Sequence, residues 1–223
     1  MSDDDHVAAA RAVYDASAER YVEFVGREIS AATETALDRA VLASFVEMIA
    51  AEPGQVADVG CGPGRVAAYL AGHDLDVIGV DVSPAMVAHA GRAHPGIRFG
   101  EGRLDELPMP DRSLAAVVCW YSIIYTPPDR LGTAFTELLR VLRPGGLLLL
   151  AFQAGQGEAV HRADAHGSGL PLTSIRHEVA DVVRRLEEVA FEVRATVQRE
   201  PELEHESTSQ AFLIARSSER GGH

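Results

Sequence analysis

At residues 56–65 an apolar run meets an aspartate and then glycine at every second position, Val-Ala-Asp-Val-Gly-Cys-Gly-Pro-Gly-Arg. Glycine has no Cβ, so it takes positive φ at little cost and lets a ligand or a neighbouring segment approach the backbone. Residues 55–60 read as a buried strand and 64–72 as a helix, so the glycines form a strand–turn–helix joint. Exposed amides at the start of that helix favour negative charge. In an open parallel sheet, ligands bind outside the carboxyl ends of the strands, where the strand order reverses. This joint leaves a strand at that edge.

The rest of the chain repeats the alternation. Helical spacing predicts a helix over 7–29, with Val13, Tyr14, Ala18, Tyr21 and Phe24 or Val25 on one face. A second is expected over 34–51 on Leu37, Val41, Phe45 and Ile49, ended by Pro53-Gly54. Further strands are expected at 74–82, 97–101, 114–121 and 147–153. Ser83-Pro84 and Thr126-Pro127-Pro128 both read as a cap followed by proline at the first helical position. The second of these helices should bury Leu131, Phe135, Leu138, Leu139 and Leu142 and stop at Pro144-Gly145-Gly146. Residues 154–174, rich in glycine, histidine and polar side chains, read as a loop or lid. A helix over 177–189 and strands at 191–199 and 210–216 follow, and the ends MSDDD and SSERGGH are expected to be disordered. Nearly all-apolar strands alternating with helices mean an α/β fold, a doubly wound and mostly parallel sheet covered on both faces. The last two strands are joined only by a turn region and should pair antiparallel at one edge. No linker divides the 223 residues, which read as a single domain over 1–223. Within it, capping helices span about 7–51 and a nucleotide-binding core about 55–153. The lid loop covers about 154–174, and the C-terminal helix and hairpin about 177–217.

Composition narrows the function classes. With 47% hydrophobic and 24% charged residues the chain can build a sizeable core. No apolar stretch approaches the roughly 20 residues of a membrane span, and the acidic start MSDDDHVAAA lacks the pattern of a secretory signal. A soluble, cytoplasmic protein with no membrane partner is therefore expected. Acids outnumber bases 33 to 20, for a net charge of −13, which disfavours a nucleic-acid partner held through its phosphates. Cys61 and Cys119 stand alone in apolar contexts, so neither a disulfide framework nor a metal site is indicated.

Two acids distinguish the glycine joint from a dinucleotide site. The spacing Gly60-Cys61-Gly62-Pro63-Gly64 is one residue tighter than G-x-G-x-x-G. Asp58 precedes it where a pyrophosphate would be repelled and an ammonium welcomed. Asp81 ends the second strand, placed to accept both hydroxyls of a ribose in a charge-assisted pair. A ribose with a cation nearby and no phosphate is the ligand these residues suit.

Residues 58–64 (DVGCGPG), 77–87 (VIGVDVSPAMV), 107–118 (LPMPDRSLAAVV) and 138–146 (LLRVLRPGG) resemble the class I S-adenosylmethionine-dependent methyltransferases, closest to the small-molecule branch called methyltransferase type 11. The resemblance covers about 10–217 in element order. It implies a Rossmann-like seven-stranded sheet with a reversed final hairpin, and S-adenosylmethionine as cofactor. It also implies roles: Gly60, Gly62 and Gly64 along the methionine part, Asp58 ordering the loop and the amino group, with Cys61 inside that loop. Asp81 would hold the ribose, with Val82, Ser83 and Met86 near the adenine. Backbone around Cys119 and Trp120 would face the methionine amine, and Tyr14 and Tyr21 would cap the cofactor. One departure stands out. Many relatives carry Gly-Asp-Ala ahead of Leu-Pro, the aspartate reading the adenine amine, whereas this chain has Gly102-Arg103-Leu104. Arg103 beside the adenine, an amide from Leu104, or Asp105 as substitute all remain open.

The function expected is methyl transfer to an O, N, S or C nucleophile of a small molecule, without a metal. Proximity and desolvation at an activated sulfonium supply most of the acceleration, roughly 7–11 kcal/mol for well-oriented reactants. His161, His166, Tyr121 and Tyr125 are the candidate catalytic groups, with His177 also near the lid. Plainer readings stand beside these: solvated loop histidines, core tyrosines, and cysteines as small apolar fillers. The rival functions are a non-catalytic binder of the same ligand and an NAD(P)-dependent oxidoreductase. Oligomeric state and acceptor identity have no sequence signal.

Overall fold

The computed structural model describes residues 5–51 and 53–218. The disorder expected of the two ends falls largely on residues 1–4 and 219–223, outside the described residues. Asp5 already begins a helix and Ser217 still belongs to a strand.

Two helices, α1 (Asp5–Val25) and α2 (Ala36–Ala50), precede the sheet. A capping box starts α2: Thr35 Oγ1 accepts from the Asp38 amide at 3.3 Å, and an Asp38 oxygen accepts from the Thr35 amide at 2.8 Å. Then come β1 (Val56–Val59), α3 (Arg65–Ala71), β2 (Val77–Asp81), α4 (Pro84–Ala93), β3 (Arg98–Glu101), β4 (Leu114–Trp120) and α5 (Leu131–Val141). The chain continues through β5 (Leu142–Gln153), β6 (Ala159–Arg162), β7 (Leu172–Ile175), α6 (Val179–Glu188), β8 (Phe191–Arg199) and β9 (Gln210–Ser217). Seven strands form one sheet in the order β3-β2-β1-β4-β5-β9-β8. The first five are parallel, and β9 runs antiparallel between β5 and β8. The order reverses between β1 and β4, so the crevice opens beside the glycine joint.

The two-residue period of the strands divides the core. Val117, Cys119, Leu148, Leu150 and Phe152 pack on one face with Leu131, Phe135 and Leu138 of α5 and Leu186 of α6. Their neighbours Ala116, Val118, Trp120, Leu147 and Leu149 pack on the other with Phe45 and Ile49 of α2 and Leu70 of α3. Every residue of β1 and β4 is buried. At about 1.5–3 kcal/mol per buried large aliphatic side chain, these central strands dominate the fold's stabilisation.

Several expectations need correction. The first helix ends at Val25, because Gly26 turns to φ 76°. Leu37, expected in the α2 stripe, is 40% exposed; of the two residues offered for the α1 face, Val25 is the buried one and Phe24 is 55% exposed on the rim of the crevice. Leu139 of α5 is only half-buried. Thr126 does not cap α5. A 3-10 turn over Pro128–Arg130 intervenes, with Pro127 extended at ψ 149°. The double proline explains this: a residue before proline is pushed out of the helical region, and Pro128 has no N–H for a cap to bind. The segment read as a lid loop contains the β6–β7 hairpin and a short 3-10 turn at Ala165–Gly167. Its strands are only four residues long, β6 is mostly exposed and β7 buries just its two ends, so neither shows the apolar alternation that marks a strand.

Candidate active site

The glycine joint adopts the conformation its composition suggested. Gly60, Gly62 and Gly64 have φ of 73°, 52° and 85°. The Gly60 and Cys61 amides both donate to the Val80 carbonyl, at 2.7 and 3.0 Å, tying the turn to β2. Asp81 completes the tie: one carboxylate oxygen accepts from the Gly62 amide at 2.8 Å and the other from the Ser83 amide at 2.9 Å. Ser83 caps α4, its Oγ accepting from the Met86 amide at 3.2 Å. That hydroxyl also donates to Asp15 at 2.6 Å, which anchors α1 over the site.

A cavity of about 620 Å³ lies along this edge. Among its lining residues are Gly60, Gly62, Asp81, Val82, Gly102, Arg103 and Leu104 from the sheet edge. Tyr14 and Tyr21 of α1 roof it, and Trp120, Tyr121, Tyr125 and His166 line it further along. Tyr21 lies over the glycine turn, 3.8 Å from where a Cβ on Gly62 would stand. Burial keeps the Asp81 carboxyl above the usual carboxylate range, the two amide donors pulling against it.

Other expected site residues sit behind the cavity wall. Asp58 is 1% exposed; one oxygen accepts from the Ala67 amide at 2.9 Å, in the first turn of α3, and the other has no partner. Burial pushes its carboxyl up to about 7. The Cys61 sulfur points toward Gly79 beneath the turn, and Cys119 is fully buried in the sheet. Burial pushes both thiols up, Cys119 to about 12, so neither is a thiolate at neutral pH. Gly64 faces Phe99 and His94, and Met86 is fully buried under α4. None of these, nor Ser83, lines the cavity. Each supports the segments that do.

Where many relatives carry an aspartate, Arg103 makes a two-pronged pair with Asp105, Nε at 2.9 Å and Nη2 at 3.0 Å, and both line the cavity. Hydrogen bonds from Arg103 hold the Asp105 carboxyl below its ordinary range. The two charges therefore meet a ligand as a neutral pair, with Leu104 between them in sequence.

The four catalytic candidates separate. Tyr14 and Tyr125 share a hydrogen bond between hydroxyls at 2.8 Å, and the Tyr125 hydroxyl stands 3.5 Å from Nε2 of His166. His166 stacks on Tyr14 with ring centres 5.4 Å apart. Burial, and then the charge of Arg162, lowers the His166 imidazole below its ordinary value, so it is neutral at pH 7. Burial raises Tyr14, Tyr21, Tyr121 and Tyr125, keeping these phenols protonated. Tyr121 lines the cavity at the end of β4 with φ of 62°, a left-handed conformation that a bulky side chain adopts only under constraint. His161 belongs to none of this: it is exposed on β6, Nδ1 3.1 Å from Thr173 Oγ1. His177 is buried, with Nε2 3.1 Å from the Ile123 carbonyl oxygen.

Sequence reasoning missed several lining residues, among them Arg20, Glu34, Arg65, Arg162 and Glu206. Glu34 and Arg65 form a buried pair at 2.8 Å. Arg199 clamps Asp38 at 2.7 Å and Glu206 at 2.5 Å, all three buried or nearly so. Glu34 and Arg65 lie 31 positions apart and Asp38 and Arg199 161, so no local pattern could have announced those two pairs, whereas Glu206 is only 7 positions from Arg199. Among the described residues, no group of three or more histidines, cysteines or acids is placed to hold a metal. Nor is any helix among them long and apolar enough to cross a membrane.

Comparison with known proteins agrees with this geometry. A family model described as a methyltransferase domain matches residues 56–146. Demethylmenaquinone methyltransferase of Beutenbergia cavernae is 35% identical over 116 residues, 52% of this chain and 48% of its own. Malonyl-[acyl-carrier protein] O-methyltransferase of Serratia marcescens is 30% identical over 167 residues, 68% of this chain and 65% of its own. The chain thus spans about half to just under two thirds of the length of these curated relatives. The crystal structure of magnesium protoporphyrin IX methyltransferase from Synechocystis with bound S-adenosylmethionine superposes with a TM-score of 0.71. It covers 96% of this chain and 98% of that one at 19% identity, a likeness of fold. Residues 56–146 thus belong to the methyltransferase-domain family, and the chain is similar in sequence to S-adenosylmethionine-dependent methyltransferases and shares their fold.

Proposed function

We propose that this protein transfers the methyl group of S-adenosylmethionine to a small-molecule acceptor within the 620 Å³ cavity. One observation carries the reading: Asp81 joins the glycine turn to β2 through the Gly62 amide, while both residues still face the cavity. Each Asp81 oxygen accepts one amide and keeps lone pairs for the ribose hydroxyls. Gly60 and Gly62 leave the backbone bare for the methionine part. Val82, Gly102 and Leu104 provide an apolar seat for the adenine, edged by the Arg103–Asp105 pair. Asp58 orders the turn from behind through α3. When bound, the cofactor supplies a methyl group on a sulfonium, already activated toward nucleophiles.

The protein's own part is then to align an acceptor and exclude water. Tyr14 and Tyr21 close the roof, their helix held down by the Asp15–Ser83 hydrogen bond at the start of α4. His166, neutral at pH 7 and braced by Tyr125, takes a proton at Nε2 from an acceptor that must lose one. Tyr121 and Trp120 shape the wall beneath. We read the chain as one methyltransferase domain, with 154–174 as its acceptor-side cover. The names of the relatives, which include demethylmenaquinone and malonyl-[acyl-carrier protein], support an organic acceptor of modest size.

Calorimetry with S-adenosylmethionine, S-adenosylhomocysteine and NAD tests the reading. S-adenosylhomocysteine is expected to bind and NAD not to. Asp81→Ala should weaken S-adenosylhomocysteine by roughly 1.5–3 kcal/mol, the scale of a charged hydrogen bond. Binding of NAD alone, or unchanged affinity in the variant, would refute it.

A further inference from the structure

We infer that the acceptor carries a carboxylate, and that Arg162 on β6 and Arg20 on α1 grip it. The inference rests on the cavity holding S-adenosylmethionine as proposed above. Both arginines line the cavity, as do Ala165 and His166 of the short turn Ala165–Gly167. Arg20 Nη1 donates to the Gly167 carbonyl at 2.5 Å, while the charge of Arg162 reaches the neighbouring His166 and also Tyr125.

Among the described residues neither has a carboxylate partner. Two other arginines of the same cavity are paired, Arg65 with Glu34 at 2.8 Å and Arg103 with Asp105 at 2.9 Å. The carboxylates that line the cavity are already held: Glu34 by Arg65, Glu206 by Arg199, Asp105 by Arg103, and Asp81 by the Gly62 and Ser83 amides. The cavity is thus polarised, with its uncompensated positive charge at the β6–β7 hairpin beside His166. A planar guanidinium binds carboxylate through two parallel hydrogen bonds, and its attraction grows as a roofed site sheds water. An acid seated there would lie against Tyr125 and His166, the groups placed to manage the acceptor's proton. Arg162 and Arg20 are therefore specificity residues.

A carboxylate at this point has two sources, the acceptor and the cofactor's own methionine end. The test separates them. Calorimetry of the wild-type protein with S-adenosylhomocysteine comes first; no binding there overturns the cofactor reading and this inference with it. The protein saturated with S-adenosylhomocysteine is then titrated with benzoate and hexanoate, and with the isosteric benzamide and hexanamide. The acids should bind about tenfold or more tighter than the amides, the worth of one charged contact. Arg162→Gln should abolish that preference and leave S-adenosylhomocysteine affinity within about twofold, while Arg162→Lys retains part of it. Equal binding of acids and amides, or no binding of either, would overturn the inference. So would a preference that survives in Arg162→Gln. A tenfold loss of S-adenosylhomocysteine affinity in Arg162→Gln, on the same scale, would assign the cation to the cofactor and overturn it equally.

Discussion

Replacing Gly60 by alanine probes the glycine turn more sharply than any other single change, and Gly62→Ala is its natural control. Gly60 has φ of 73°, and a Cβ there would stand 2.3 Å from Ser122 Cβ. Carbon atoms in good contact sit about 3.5–4.0 Å apart, so the overlap exceeds an ångström. Ser122 offers no slack, because it opens the 3-10 turn Ile123–Tyr125, whose first two residues are buried. The left-handed backbone costs an alanine roughly 1–2 kcal/mol, and forcing a packed contact apart costs about 1–3 kcal/mol more. The sum is roughly 2–5 kcal/mol, or a fall in Tm of about 4–20 °C for a chain of this size. Gly62 shares the backbone conformation, with φ of 52°, but its Cβ would meet only Tyr21 at 3.8 Å, inside the cavity. Gly62→Ala should therefore lose only about 1–2 kcal/mol of stability while obstructing the ligand. Urea unfolding and S-adenosylhomocysteine calorimetry on both variants separate the effects. Gly60→Ala should be the less stable variant, and Gly62→Ala should bind more weakly for the stability it keeps. If Gly60→Ala unfolds like wild type, or both variants bind as wild type does, the geometry argued for the turn is wrong.

Asp58 and Arg199 make two further tests. Asp58 titrates near 7 in the folded protein against an ordinary 3.8, so the folded state binds the extra proton between those values. Its burial penalty is absent below about pH 4, grows as pH rises, and is complete above about pH 7, reaching on the order of 4 kcal/mol at 1.36 kcal/mol per unit. Asp58→Asn should abolish that part of the stability difference between pH 5 and pH 8 in urea unfolding; an unaltered pH profile would show that Asp58 is ionised at little cost. Arg199→Met leaves Asp38 and Glu206 buried without their cation and should cost about 3–5 kcal/mol. Burial pushes the Glu206 carboxyl up, but Arg199 and the Glu202 and Leu203 amides hold it down at about 2. The variant should therefore regain stability on acidification toward pH 4, and a variant that unfolds in urea like wild type would deny the clamp any energetic role.

Much of this protein was legible along the chain because its signals are local. Strand–helix alternation, the buried β4 and β5, the glycine turn and the acid ending β2 each occupy a few consecutive residues. The forces behind them, backbone freedom and side-chain periodicity, act over that same range. Boundaries failed where two local rules competed, as at Thr126-Pro127-Pro128, where the second proline undid the cap that the first suggested. Short exposed strands such as β6 left no apolar alternation to read.

The end of the cavity where the proposed acceptor would sit takes its form only in the tertiary structure. His161 and His166 look alike in sequence, yet one is exposed beside Thr173 and the other closes against Tyr14 and Tyr125. Arg20 and Arg162 line one cavity from α1 and β6, and Arg199 reaches Asp38 from 161 positions away. Charge pairing depends on distance through space, and only the folded chain sets which arginines find a carboxylate and which are left facing the cavity.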